Sequence, residues 1–200
     1  MTLKGPIRIV GCGLIGTSIA LRLKEAGFEL ILSDNNRSNL DLATDLLGTK
    51  EVKSSPSLVV IAVPSDLVFE VATTEFEDNP GAIFIDVSGI KSKLMNQVEG
   101  FTALAERYVS VHPMAGRETS GPQSARSDLF NSRAWIISRA KTAPLTDASK
   151  LHSYSWAYSS AVMSSRAAAS SSATRAMRRF PQREAAIVRL RRPCGRCARY

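Results

Sequence analysis

The sequence has 200 residues, enough for one ordinary domain or for one domain and a fragment of another. Its formal net charge of +8 would suggest a nucleic-acid or membrane partner if the charge were evenly spread. Residues 1–150, however, carry 16 Lys and Arg against 17 Asp and Glu, whereas residues 151–200 carry 10 Arg, no Lys and one acid, Glu184. The excess positive charge therefore belongs to the last quarter, and we expect neither nucleic acid nor membrane as a partner of the preceding domain.

The first residues lack the layout of a signal peptide, and no apolar run approaches the roughly 18 residues that a transmembrane helix needs. The three cysteines, Cys12, Cys194 and Cys197, do not form a disulfide framework, so we expect a cytoplasmic location. The last two match a Cys-x-x-Cys pattern. No second pair of ligands accompanies them, so we expect no metal site.

Strand-like and helix-like segments alternate along the first 140 residues. Buried apolar runs predict strands over 7–10, 29–33, 58–63, 82–85, 108–111 and 134–137. Helical periodicity predicts helices over 15–26, 40–47, 66–74 and 92–104, with Gly27 and Gly48 ending the first two. This alternation predicts an α/β protein, a doubly wound Rossmann-type parallel sheet occupying residues 1–150.

The composition changes after about His152. Residues 153–200 are dominated by Ser, Ala and Arg, and they contain almost no periodic apolar face. Such a segment cannot bury enough apolar surface to offset its ordering entropy. We therefore expect residues 151–200 to be a largely disordered or weakly helical tail, not a folded domain.

A Gly-x-Gly-x-x-Gly pattern follows the first predicted strand and opens the first helix, and Asp34 stands at the end of the second strand. This context is typical of a dinucleotide-binding loop, in which helix N–H groups bind the pyrophosphate and the acid binds the ribose. Asp34 favours NAD, although Arg37 is near enough to leave NADP possible. The candidate cofactor-binding residues are Gly11, Gly13, Leu14, Ile15, Gly16, Asp34, Arg37, Val63, Pro64 and Ser65.

The other polar candidates also follow predicted strands, where ligands bind to open α/β sheets. Ser88 can contact a substrate oxygen, and Lys91 either attracts a carboxylate or faces water. His112 follows the fifth strand in a loop, and its near-neutral intrinsic pKa lets it take a proton from a substrate hydroxyl. We predict catalytic roles for His112 and Ser88. The candidate substrate-binding residues are Ser88, His112, Gly116, Arg117, Glu118, Thr119 and Ser120.

Three stretches together resemble the prephenate dehydrogenase family over about residues 5–150. They are Gly11-Cys12-Gly13-Leu14-Ile15-Gly16, Asp86-Val87-Ser88-Gly89-Ile90-Lys91 and, most specifically, His112-Pro113-Met114-Ala115-Gly116-Arg117-Glu118-Thr119-Ser120-Gly121. The resemblance implies NAD-dependent oxidative decarboxylation of prephenate to 4-hydroxyphenylpyruvate in tyrosine biosynthesis. It assigns the ring-hydroxyl base to His112 and a role in shaping the pocket to Glu118. The family's substrate-contacting serine aligns with Gly89, one place after Ser88.

The resemblance also implies a helical domain that forms a homodimer, and residues 153–200 lack its apolar periodicity. We therefore hypothesise that the reading frame shifts near residues 152–154 and that the product is impaired. Arogenate dehydrogenase, and a non-catalytic nucleotide-binding remnant with a basic tail, are the alternative functions.

Overall fold

In the computed structural model, the described residues are 5–49, 52–115 and 118–139, together with the backbone of 185–188. They form one seven-stranded sheet whose order is β2-β1-β3-β4-β5-β6-β7. The strands are β1 (Ile7–Val10), β2 (Leu30–Ser33), β3 (Leu58–Ile61), β4 (Ile83–Asp86), β5 (Tyr108–Pro113), β6 (Trp135–Arg139) and β7 (Ala185–Val188). The helices are α1 (Leu14–Glu25), α2 (Arg37–Leu47), α3 (Val68–Asp78), α4 (Ser92–Glu99) and α5 (Thr102–Ala105).

Strands β1 to β5 are all parallel, which confirms the doubly wound Rossmann-type sheet. Strand β1 pairs with β2 on one side and with β3 on the other. The chain therefore reverses its direction across the sheet at β1, and in such sheets the crevice outside this switch point binds ligands. The glycine loop leaves β1 at that crevice.

Helices cover both faces of the sheet and create two cores. On one face, α1 and α2 contribute Ile19, Leu23 and Leu47 to a buried cluster with Ile9 and Val60. On the other face, α3, α4 and α5 contribute to a second cluster, which contains Val59, Phe84, Leu94, Leu104 and Tyr108. This two-faced burial explains why the parallel strands are nearly continuous apolar runs.

The boundaries of several predicted elements differ in the structure. The single helix predicted over 92–104 is interrupted, because α4 ends before Gly100 and α5 begins after Phe101. Predicted ends Gly27 and Gly48 are confirmed, since both glycines have positive φ angles, +86° and +53°. Helix α2 begins with an N-cap at Asn36, whose side chain accepts a hydrogen bond from the N–H of Asn39 at 3.2 Å.

Strand β6 departs from the parallel pattern, because it runs antiparallel to β5. A parallel connection needs a long crossover, usually a helix, whereas the described part of the β5–β6 connection contains only the 3₁₀ turn Pro122–Ser124. This connection lies over α1, where the N–H of Arg126 donates to Oγ of Ser18 at 3.0 Å. Phe130 and the first residue of β6 complete the core on that face.

The tail prediction included no strand, yet Ala185–Val188 forms β7 and pairs antiparallel with β6. The remaining residues of the predicted tail lie outside the described residues, as do Cys194 and Cys197. None of the helices in the described ranges is long and apolar enough to cross a membrane.

Candidate active site

The glycine loop joins β1 to α1 by a turn that side chains would obstruct. Gly11 has φ of +99°, and a Cβ built on it would lie 2.5 Å from the carbonyl oxygen of Ala62. A Cβ on Gly16 would overlap the carbonyl oxygen of Gly11. Two of the three glycines are therefore needed to bring α1 and β3 against the turn.

Gly13 differs from the other two glycines. Its φ of −77° suits any residue, and a Cβ there would meet nothing within 4 Å among the described atoms. Gly13 is also the residue that precedes α1, and no side chain in the described ranges caps this helix end. The open space beside Gly13 therefore adjoins the start of α1, where free N–H groups and the positive end of the helix dipole suit a phosphate group.

Asp34 follows β2 and lies against the glycine loop. Its Oδ2 accepts a hydrogen bond from the N–H of Cys12 at 2.6 Å, and its Oδ1 accepts one from the N–H of Asn36 at 2.7 Å. Each oxygen keeps a further lone pair, so the carboxylate can still accept from ribose hydroxyls. Burial, and then the nearby Asp34 charge, raise the pKa of the Cys12 thiol to about 11.

Arg37, the second candidate at this end, pairs within its own helix. Its guanidinium lies 2.9 Å from a carboxylate oxygen of Asp41, and its side chain is 83% exposed. This i,i+4 geometry is typical of a solvated surface pair worth a few tenths of a kcal/mol.

Val63, Pro64 and Ser65 follow β3 at the same edge, next to the glycine loop. A Cβ on Gly11 would lie 3.1 Å from the backbone nitrogen of Val63. The carbonyl oxygen of Pro64 accepts from the N–H of Leu67, which closes a turn before α3. These residues therefore border the crevice at the switch point.

Asp86, the last residue of β4, is completely buried and carries a network of hydrogen bonds. Its Oδ1 accepts from the N–H and Oγ of Ser88 at 2.9 and 2.6 Å and from Nζ of Lys91 at 2.7 Å. Its Oδ2 accepts from the hydroxyl of Tyr108 at 2.9 Å. A buried carboxylate is tolerated only with such compensation.

Neither expectation for Lys91 included this network, in which the ammonium is held inside the protein and the side chain is only 19% exposed. It is held by Asp86 and donates to the carbonyl oxygen of Val111 at 2.8 Å. Burial lowers the pKa of Lys91, and the Asp86 charge offsets part of that effect. Burial raises the pKa of Tyr108, and Asp86 raises it further.

His112 lies in β5, not in the loop after it as predicted. Its backbone pairs with that of Ile136 in β6, so the sheet holds the residue. Nδ1 of its ring is buried and has no hydrogen-bond partner among the described residues. Gly89 lies against the ring, since a Cβ on Gly89 would be 3.2 Å from Cε1 of His112.

The structure brings most of the predicted site residues to one edge of the sheet. The glycine loop and Asp34, the residues after β3, Ser88 and His112 all stand at the carboxyl ends of parallel strands. Glu118, Thr119 and Ser120 are exposed in the connection that follows β5, whereas Gly116 and Arg117 lie outside the described residues.

Sequence reasoning missed the contacts of Tyr108 with Asp86 and of Gly89 with His112. Tyr108 was recognised only as a strand residue, and its partner lies 22 positions away. The one signal in the sequence was an acid at the end of one buried strand and a tyrosine at the start of the next.

Comparison with known proteins shows the family. The family model described as the prephenate dehydrogenase nucleotide-binding domain matches residues 19–155 of this sequence. This chain belongs to the prephenate dehydrogenase family. The match begins after the glycine loop, and it is the loop's own geometry that is typical of a dinucleotide-binding turn.

Two curated relatives and one solved structure give the extent of the similarity. A probable prephenate dehydrogenase, NovF of Streptomyces niveus, is 33% identical over 132 residues, covering 64% of this chain and 36% of its own. The prephenate dehydrogenase of Lactococcus lactis subsp. cremoris is 32% identical over 145 residues, 66% of this chain and 40% of its own. The Aquifex aeolicus prephenate dehydrogenase, solved with hydroxyphenyl propionate and NAD+, superimposes with a TM-score of 0.68 at 25% identity, covering 80% of this chain and 58% of its own. The chain thus spans well under half the length of the curated relatives it matches.

Proposed function

We propose that this chain is the NAD-binding and proton-accepting part of a prephenate dehydrogenase. The reaction is the oxidative decarboxylation of prephenate to 4-hydroxyphenylpyruvate. The observation that carries the proposal is His112, held by the sheet at the edge where the nucleotide loop opens. Family membership and the NAD+ complex of the Aquifex aeolicus relative support it.

The glycine loop and Asp34 fit a dinucleotide. Gly13 leaves room for the pyrophosphate beside the uncapped start of α1, where the N–H groups of Leu14 and Ile15 lie in the first turn. Asp34 would bind the adenosine ribose hydroxyls and repel a 2′-phosphate, and the pairing of Arg37 with Asp41 favours NAD over NADP. The nicotinamide, when bound, accepts the hydride from the substrate ring.

The proton chemistry falls to His112. As hydride leaves the ring carbon that bears the hydroxyl, the imidazole takes the hydroxyl proton and a ring ketone forms. The bond from the ring to its carboxylate then breaks, carbon dioxide leaves, and the electron pair makes the ring aromatic as a phenolate. The same imidazole can return the proton to the phenolate oxygen. Because Nδ1 is enclosed, Nε2 is the nitrogen that would face the hydroxyl.

The substrate pocket would be lined by Ser88 and by the loop after β5, from Gly116 to Ser120. The Ser88 hydroxyl donates to Asp86 and accepts from Nζ of Lys91 at 3.4 Å, which leaves one lone pair to accept from a substrate hydroxyl. The rest of the pocket and the dimer contacts belong, in this proposal, to a helical domain such as the longer relatives have room for. We also propose a cytoplasmic location, in keeping with the buried free thiol of Cys12.

The experiment is NADH formation from prephenate with the enzyme in excess over substrate, so that even slow turnover is seen. Replacement of the base in His112→Asn is expected to lower the rate about 10²- to 10⁴-fold, while calorimetry shows unchanged affinity for NAD. Arogenate in place of prephenate tests the alternative substrate. NAD binding with no NADH from either substrate would overturn the catalytic proposal and favour the non-catalytic remnant.

The frameshift is proposed on the composition of residues 153–200, and the family match ends close by, at residue 155. Translating the gene in the other two frames after codon 152 is expected to give a long, periodic helical sequence. Absence of such a sequence in both frames would contradict the frameshift. Restoring that frame should raise prephenate turnover.

A further inference from the structure

We propose that Lys91 is a positioning residue for His112. Its ammonium, held by Asp86, binds the carbonyl oxygen of Val111 and thereby fixes the peptide that carries the imidazole. The positioning itself follows from contact geometry alone. Its catalytic consequence rests on the proposed function.

The β4–β5 ladder ends just before His112. The last residue pair between these strands is Asp86 with Ser110, so Val111 lies beyond the end of its parallel neighbour. On the other side, β6 continues to pair with Val111, His112 and Pro113. From Val111 onward, the edge of β5 that faces β4 therefore has backbone groups without a strand partner.

Lys91 supplies the missing donor on that free edge. Its Nζ donates to the Val111 oxygen at 2.8 Å, where a β4 backbone N–H would otherwise be required. The ammonium is fixed in turn, because Asp86 accepts from it at 2.7 Å and is itself completely buried. Charge-assisted bonds of this length are roughly twice as strong as neutral ones.

The imidazole has no other polar anchor among the residues that the structure describes. A catalytic histidine is commonly oriented by a group that binds its second ring nitrogen. Here Nδ1 of His112 is buried without a partner in the described ranges. The ring is instead positioned by its backbone and by the bare Cα of Gly89, which lies in the same short turn between Asp86 and Lys91.

The turn from Asp86 to Lys91 therefore acts as one clamp. Lys91, at one end of the turn, holds the Val111 carbonyl that precedes His112. Gly89, in the middle of the turn, packs against the His112 ring. Loss of the ammonium frees the Val111 carbonyl, and a shift of about 1 Å at a catalytic group can cost roughly 100-fold in rate.

The test compares Lys91→Met with Arg8→Met. Within the described ranges, Arg8 and Glu75 form the other ion pair that has a buried carboxylate, at 2.7 Å. That pair joins β1 to α3, three strands away from β5. Both variants remove a cation from a buried carboxylate, but only Lys91→Met frees the Val111 carbonyl.

The first readout is the NMR spectrum of the imidazoles, which needs no activity. The chain has two histidines, His112 and His152, and His112→Asn assigns their signals. Lys91→Met is expected to shift or broaden the His112 signals and to leave those of His152 in place, whereas Arg8→Met leaves both. Unchanged His112 signals in Lys91→Met, or equal changes in Arg8→Met, would overturn the proposal.

The second readout is kinetic. With prephenate, Lys91→Met is expected to lower kcat about 10- to 100-fold with little change in the KM for NAD. If the wild-type chain has no activity, the proposed function is contradicted. The NMR result then decides by itself whether Lys91 positions His112. If Lys91→Met fails to fold, the double variant Lys91→Met/Asp86→Asn removes both buried charges, and it should still displace the His112 signals.

Discussion

The two halves of the candidate site are built by different means. At the β1 side, the shape of the site comes from the backbone, because Gly11 and Gly16 allow approaches that no side chain could share. At the β4–β5 side, it comes from buried side chains, because Asp86, Lys91 and Tyr108 hold the chain around His112. A site shaped by the backbone can be recognised from a short sequence motif such as the glycine loop. A site shaped by side chains depends on residues that are far apart in sequence, such as Asp86 and Tyr108, and no short motif contains them.

The largest effect should come from the glycine loop. Two substitutions there distinguish Gly16, which the fold needs, from Gly13, which is proposed to face the ligand. Gly16→Ala places a methyl group on the Gly11 carbonyl, so α1 must move, and we expect a loss of more than about 4 kcal/mol of stability and of nucleotide binding. The matched control, Gly13→Ala, would meet nothing within 4 Å among the residues that the structure describes, and it should unfold at nearly the wild-type urea concentration.

Gly13→Ala should nevertheless weaken NAD binding, measured by calorimetry, because its methyl group would enter the space assigned to the pyrophosphate. Wild-type affinity in Gly13→Ala would show that the pyrophosphate does not approach this position. The comparison of the two variants therefore tests the nucleotide site independently of the fold.

The next largest effect should come from the side-chain half. Asp86→Asn leaves the Lys91 ammonium buried without a counter-charge, which we expect to cost about 3–4 kcal/mol in urea unfolding near neutral pH. The charged form of Lys91 is already disfavoured by burial, so its pKa should fall further in the variant. Between the lowered folded-state pKa of Lys91 and its ordinary value of 10.5, the unfolded state then binds more protons than the folded state, so the variant's stability should rise with pH within that window. A cost that stays constant with pH would contradict this account.

A smaller effect concerns cofactor choice at the β1 half. Asp34→Asn removes the charge that would repel a 2′-phosphate and weakens the bond from the Cys12 N–H. We expect NAD affinity to fall about 10-fold and the ratio of NADP to NAD affinity to rise. Arg37→Gln serves as the control, since its guanidinium is paired on the surface with Asp41 and its loss should change NAD affinity little. An unchanged affinity ratio in Asp34→Asn would place the ribose elsewhere.

The smallest effect is a loss of stability at alkaline pH, and it also concerns the β1 half. The pKa of the Cys12 thiol is raised to about 11 from 9.0, so the folded state keeps a proton that the unfolded state loses between these values. The resulting stability is fully present below pH 9 and is lost as pH rises to 11, by at most about 2–3 kcal/mol. Cys12→Ala should show a flatter decline of stability over this window. Identical slopes would show that the thiol titrates alike in both states.

The β1 half was largely predictable because its constraints are local. The glycine spacing, the strand before it and the acid after the second strand predicted the turn, the helix start and the position of Asp34, and the structure confirms these elements. The β4–β5 half was predictable only as a set of candidates. The sequence placed Ser88, Lys91 and His112 after strands, but left the role of Lys91 open and placed His112 in a loop.

The sequence by itself determined the alternation of buried strands and helices and the glycine loop between β1 and α1, since each depends on residues within about 20 positions of one another, and it singled out His112 as the candidate base. Only the tertiary structure decided that β6 runs antiparallel, that Tyr108 and Lys91 share Asp86, and that Gly89 packs on His112. The physical reason is the pairing of strands through space. Hydrogen bonds between neighbouring strands join groups that are separated along the chain by no regular spacing, so a sequence pattern does not reveal them. Burial then determines which of these groups stay charged.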